Sequence, residues 1–116
     1  MQLQECNMNT VNLYEKNLEK LYYMQELGCN ISIVSYVKEL LKSLEVYQSN
    51  IFPGADLQYI QLEFYKGQSY LELQIYCDHC ELFQTGRELS NDIFKTLDYD
   101  KKQILNIIKE FFSSRR

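Results

Sequence analysis

Residues 59–76 constrain the fold of this chain more than any other stretch. Tyr59-Ile-Gln-Leu-Glu-Phe-Tyr65 and Tyr70-Leu-Glu-Leu-Gln-Ile-Tyr76 alternate apolar and polar side chains without a break, and they mirror each other about Lys66-Gly67-Gln68-Ser69. Period-two alternation on both sides of a glycine-containing turn specifies an antiparallel hairpin. With Gly67-Gln68 at the turn, the opposed pairs are Tyr65–Tyr70, Phe64–Leu71, Glu63–Glu72, Leu62–Leu73, Gln61–Gln74, Ile60–Ile75 and Tyr59–Tyr76. One face then holds only Ile60, Leu62, Phe64, Leu71, Leu73 and Ile75, and something must cover it. A slip of one residue would turn every one of these side chains to water, so the register is well specified.

The other face of the hairpin carries Tyr59, Gln61, Glu63 and Tyr65 opposite Tyr70, Glu72, Gln74 and Tyr76. Residues 80–85 extend the pattern as a third strand and add Glu81, Phe83 and Thr85. Like charges directly opposite on a ladder repel, so a Glu63–Glu72 pair is not what stability alone would select. Tyrosine supplies large contact area at low entropic cost and is enriched at interfaces. The face therefore reads as an ordinary solvated sheet surface, a protein-binding face or a small-molecule site. On the binding reading, the contact residues are Tyr59, Glu63, Tyr65, Tyr70, Glu72, Tyr76, Glu81 and Phe83.

The remaining segments supply the cover. Val11, Tyr14, Leu18, Leu21, Tyr22 and Met24 recur at helical spacing, with Asn9 or Thr10 as a cap and Gly28 as the stop. This predicts a helix over 11–27 after a loose lead-in at residues 1–9. Ile33, Val34, Val37, Leu40, Leu41 and Leu44 form the stripe of a second helix over 32–45, capped by Asn30 or Ser32. The short link makes the two a hairpin. Pro53-Gly54 punctuates a loop between residues 46 and 56, and Gly86 to Asp92 is a polar connection before a helical turn around Ile93, Phe94 and Leu97. Asp100 caps a last helix over 100–112 that turns Ile104, Leu105, Ile107, Ile108, Phe111 and Phe112 inward. The expected fold is one α+β domain of 116 residues: a helical hairpin, a three-stranded antiparallel β-meander over 59–85 and a C-terminal helix packed on the sheet.

Composition narrows the function classes. The chain has 12 Lys and Arg against 16 Asp and Glu, a net charge of −4. That balance opposes nucleic-acid binding, which needs basic residues to displace counterions. Charge is segregated: residues 56–81 hold five acids against Lys66 alone, whereas residues 95–116 hold six bases against three acids. No run of about 18 apolar residues exists to span a membrane. The first residues lack the basic start and apolar run of a signal peptide, which predicts a cytoplasmic protein with reduced thiols.

Motifs for chemistry are sparse. Cys77-Asp-His-Cys80 is a CxxC at a hairpin tip, and zinc ribbons place such pairs there. His79 is the only histidine, and Cys6 and Cys29 do not form a second CxxC, so a four-ligand set is not evident. The structural reading makes Cys77 and Cys80 small core-side residues facing each other across an Asp78-His79 turn. The alternative uses Cys77, His79 and Cys80 for zinc or redox work. With one histidine, triad chemistry is disfavoured, and exposed Glu63 and Glu72 lack the burial that raises the pKa of a glycosidase acid. The four glycines stand singly, so no phosphate loop is present.

Gln61-Leu-Glu-Phe-Tyr65, Ser69-Tyr-Leu-Glu-Leu-Gln-Ile-Tyr76 and Glu81-Leu-Phe83, behind a helix pair, resemble a group of small uncharacterised bacterial proteins with an LEF/LEW…YLELEI hairpin. The resemblance covers roughly residues 30–85, and the CxxC departs from the acidic or glycine-containing turn usual there. Some of that group resemble antitoxin-like genes of mobile loci. The expectation is a non-enzymatic protein-binding module without a cofactor, an inhibitor of antitoxin, immunity or anti-defence type that meets a basic protein through the Tyr and Glu face. Nucleic acid and membrane are not expected partners. A homodimer built through the third strand's edge or the tyrosine face is the alternative.

Overall fold

The structure is a computed structural model that describes residues 2–44, 47–86, 93–98 and 100–113, with side chains from Leu13 onward. In chain order the elements are α1 (Gln2–Leu27), α2 (Ile31–Leu44), β1 (Asn50–Pro53), a 3-10 turn (Ala55–Leu57), β2 (Ile60–Lys66), β3 (Ser69–Ile75), β4 (Cys80–Thr85), β5 (Ile93–Leu97) and α3 (Lys101–Ser113). The architecture is α+β, with one antiparallel sheet ordered β1-β2-β3-β4-β5.

The central hairpin has the register its alternation specifies, from Ile60 opposite Ile75 to Lys66 opposite Ser69. Gly67, at φ 58, takes the first central position of the two-residue turn, where a side chain would be strained. β4 pairs with β3 as the third strand, Leu73 opposite Leu82.

Two strands flank that meander, so the sheet has five strands and not three. β1 falls in the segment expected to be loop. It is only four residues long and ends at Pro53, which has no N–H to continue a ladder, and periodicity cannot register so short a piece. β5 replaces the expected helical turn at Ile93, Phe94 and Leu97, and pairs Phe94 with Phe83 and Leu97 with Cys80. Ile, Phe and Thr favour strands, and a five-residue segment is too short for its period to separate helix from strand. Because β5 occupies the outer side of β4, the third strand's edge is not available for dimer pairing. The Gly86 to Asp92 connection falls, after Gly86, outside the described residues.

α1 begins at Gln2, so residues 2–9 continue the helix instead of forming a loose lead-in, and neither Asn9 nor Thr10 caps it. No glycine or proline interrupts residues 2–27. The helix stops in a Schellman arrangement: Gly28, at φ 111, donates to the Gln25 carbonyl at 3.0 Å, and Cys29 donates to Met24 at 3.0 Å. The Asn30 side chain caps α2 by accepting from Ser32 N–H at 2.7 Å. Asp100 caps α3 by accepting from Lys102 N–H at 3.0 Å.

The core lies between the aliphatic sheet face and the helices. α2 contributes Ile33, Val34, Val37, Leu40, Leu41 and Leu44, and α3 contributes Ile104, Ile108 and Phe111. α1 packs on α2 and on β1, where the buried Asn17 side chain donates to the Ser49 carbonyl at 2.9 Å. Among the described side chains of the α1 stripe, Leu21 and Met24 are buried, whereas Tyr22 is exposed and lies under Lys38, whose Nζ is 5.4 Å from its ring centre. Leu105, Ile107 and Phe112 of α3 are half-buried.

Candidate functional site

The aliphatic strand positions all point to the helices, so the alternating positions point away from them. Tyr59, Glu63, Tyr65, Tyr70, Glu72, Tyr76, Glu81 and Phe83 therefore share the opposite side of the sheet. Among the described residues no helix lies on that side. The flanking strands widen it. One cross-strand row runs Asn50, Glu63, Glu72, Phe83, Phe94, and the next runs Phe52, Gln61, Gln74, Glu81, Thr96. Phe52, 43% exposed, and Phe94, 68% exposed, are the aromatic members that the sequence reading missed. Their signal would have been a period-two reading carried through Asn50–Pro53 and Ile93–Leu97.

Glu63 and Glu72 stand directly opposite. Each carboxylate is held by one tyrosine and one glutamine. Tyr65 hydroxyl donates to Glu63 at 3.0 Å and Gln61 amide at 2.6 Å. Tyr70 hydroxyl donates to Glu72 at 2.7 Å and Gln74 amide at 2.9 Å. Tyr76 hydroxyl then donates to Gln74 at 3.0 Å. Four donors spread the negative charge and offset the repulsion across the ladder. The same bonds fix the rings: Tyr65 and Tyr70 centroids lie 5.0 Å apart, and Tyr70 meets Phe83 edge-on at 6.5 Å. The hydrogen bond to Glu63 raises the Tyr65 pKa above its ordinary value, and burial followed by the bond to Glu72 raises that of Tyr70.

At the other end, Tyr59 and Tyr76 rings lie 4.9 Å apart. Gly54 makes room for Tyr59: a Cβ there would meet its ring carbons at 2.4–2.5 Å. The β3–β4 hairpin closes where Tyr76 N–H donates to the His79 carbonyl at 2.9 Å, so Cys77 and Asp78 are the turn's central residues, one position before the expected Asp78-His79. The His79 ring stacks on Tyr76 with centroids 4.4 Å apart and 6° between planes. Its Nδ1 lies 2.7 Å from Asp78 and its Nε2 3.1 Å from Glu81. Hydrogen bonds first to Asp78 and then to Glu81 hold the imidazolium and raise the His79 pKa above 6.5.

The CxxC is split by its turn. Cys77 is exposed, so it is not the core-side residue expected, whereas Cys80 is buried on the aliphatic side, opposite Ile75 and Leu97. Burial pushes the Cys80 thiol up to about 12. His79 belongs to the open side, with both nitrogens against carboxylates. Among the described residues, no group of three or more His, Cys, Asp or Glu is placed to hold a metal ion.

No protein-family model, curated protein or solved structure matches this chain. Among the described residues, no helix is long and apolar enough to cross a membrane.

Proposed function

We propose that this chain is a small non-enzymatic protein-binding module that grips a basic protein with its open sheet face, in the manner of an antitoxin, immunity or anti-defence inhibitor. One observation supports the reading above the others. Among the described residues, the open face presents Glu63, Glu72 and Glu81, flanked by aromatic rings and without a lysine or arginine. Carboxylates among rings attract a guanidinium or ammonium group both through charge and through the ring faces. The tyrosines are already oriented by hydrogen bonds, so docking costs little side-chain entropy. Tyr65, 57% exposed, and Phe94 provide the aromatic area expected of contact anchors.

The test compares the tagged native chain with its Glu63→Lys/Glu72→Lys variant in capture from native lysate. The expected result is a protein with a basic surface that the native chain retains and the variant loses, with affinity reduced more than about tenfold. Tyr65→Ala, a change at an exposed ring, gives a second measurement in a chain whose folding is not at risk and is expected to weaken the same capture. Capture unchanged in both variants overturns the reading.

A further inference from the structure

The three carboxylates of the open face are held in two ways. Glu63 and Glu72 accept from tyrosine hydroxyls and glutamine amides, donors that carry no net charge. Glu81 instead meets the imidazole of His79, whose Nε2 lies 3.1 Å away while its Nδ1 lies 2.7 Å from Asp78. The ring sits flat on Tyr76, and the His79 carbonyl accepts from the Tyr76 N–H, so ring and turn are seated together at one end of the face.

Two carboxylate contacts require two N–H donors. A neutral imidazole has one donor and one acceptor, so it bridges Asp78 and Glu81 only when protonated. Loss of the proton turns a lone pair toward one of the carboxylates. The Asp78 contact is the shorter and joins adjacent residues, so Glu81 is the one released. The surroundings favour the imidazolium. Asp78 of the turn and Glu81 of β4 are acids, Asp98 follows the end of β5, and the β5 residue opposite Glu81 is the uncharged Thr96. Tyr76, Tyr59 beside it and Cys77 are the other titratable groups at this end. The helices pack on the opposite side of the sheet.

We propose that His79 is a pH-operated gate on the open face: its protonated ring occupies Glu81, and its deprotonation releases that carboxylate to the arginine or lysine side chains of a basic partner. The gate rests on the proposed use of this face for a basic protein. Opening it adds one negative charge beside the tyrosine pair Tyr59 and Tyr76. Cation binding and proton binding therefore oppose each other, and linkage makes that opposition equal in both directions.

The probe is a hexa-arginine peptide, whose charge stays constant across the range. Its affinity for the full chain, measured by calorimetry at constant ionic strength, is expected to rise about fivefold between about pH 5.5 and about pH 8. The rise should follow the His79 midpoint, read by NMR from its ring resonances; His79 is the only histidine, so the signal is unambiguous. Saturating peptide is expected to lower that midpoint by the matching amount. His79→Gln is expected to bind with a flat profile, and Asp78→Asn, a change at an exposed turn residue, to move the rise to lower pH. A midpoint at or below 6.5 in the free chain overturns the gate, as does a profile that His79→Gln leaves unchanged or a midpoint that the peptide does not move. Peptide bound equally at every pH removes the gate and leaves the binding face; peptide bound at no pH removes the face, and the gate with it.

Discussion

Two opposed glutamates would weaken a two-stranded ladder, yet here they organise it. Glu63 and Glu72 each accept one tyrosine hydroxyl and one glutamine amide, so the polar side chains of β2 and β3 form one connected layer. Removing one donor leaves a half-buried carboxylate short of a bond. Tyr70→Phe is therefore expected to cost about 1 kcal/mol in urea unfolding, and Tyr65→Phe less, because Tyr65 is the more exposed. Equal losses for the two would contradict this ranking. His79 brings pH dependence. Its folded pKa is raised by Asp78 and Glu81, so its contribution to stability is complete below the ordinary value of 6.5 and disappears as pH rises through the folded pKa. Asp78 is lowered by its hydrogen bond to His79, so its contribution holds above 3.8 and is lost as pH falls through the lowered value. Thermal melts of the native chain and of His79→Gln are expected to differ most between those two pH values and to converge at alkaline pH. Deprotonation also leaves Glu81 without a cation beside it, so affinity for a basic partner should rise over the same range; a flat profile would remove His79 from that role.

At the scale of elements, length decided what the sequence disclosed. β2 and β3 have seven residues each and mirror-image alternation, and their register was legible pair by pair. α2 and α3 were legible because their apolar stripes and the caps at Asn30 and Asp100 agree. β1 and β5 have four and five residues, too few to display a period, and each becomes a strand only because a longer neighbour offers a free ladder edge. Phe52 and Phe94 stayed hidden with them, although the eight site residues on the three central strands and at their ends were legible as one face. The Gly54 role was equally non-local. It read as turn punctuation, but its missing Cβ is what lets the Tyr59 ring lie across the β1–β2 loop beside Tyr76. Gly54→Ala is expected to displace that ring and to cost about 1–3 kcal/mol, with the Tyr59 ring resonances shifting in NMR. An unshifted ring at native stability would show that the loop accommodates the methyl group.

The whole molecule is one-sided. Three helices and one sheet face share a single apolar core, and the other sheet face takes no part in it. That division separates residues that hold the fold from residues free to serve a partner. Leu73 sits at the centre of the sheet with no exposed surface. Leu73→Ala removes atoms from a packed core and leaves a cavity, so a loss of about 2–5 kcal/mol is expected. Phe94→Ser removes a larger side chain from the open side and is expected to change stability by less than about 0.5 kcal/mol. Urea unfolding of the two variants compares the faces directly. A Phe94→Ser loss as large as that of Leu73→Ala would mean that the open side is one half of a second core, and its rings would then be structural. The expected inequality leaves the exposed rings of that side, Phe52, Tyr65 and Phe94, with little duty to the monomer's stability, the condition under which such contacts can change their partner without unfolding their own chain.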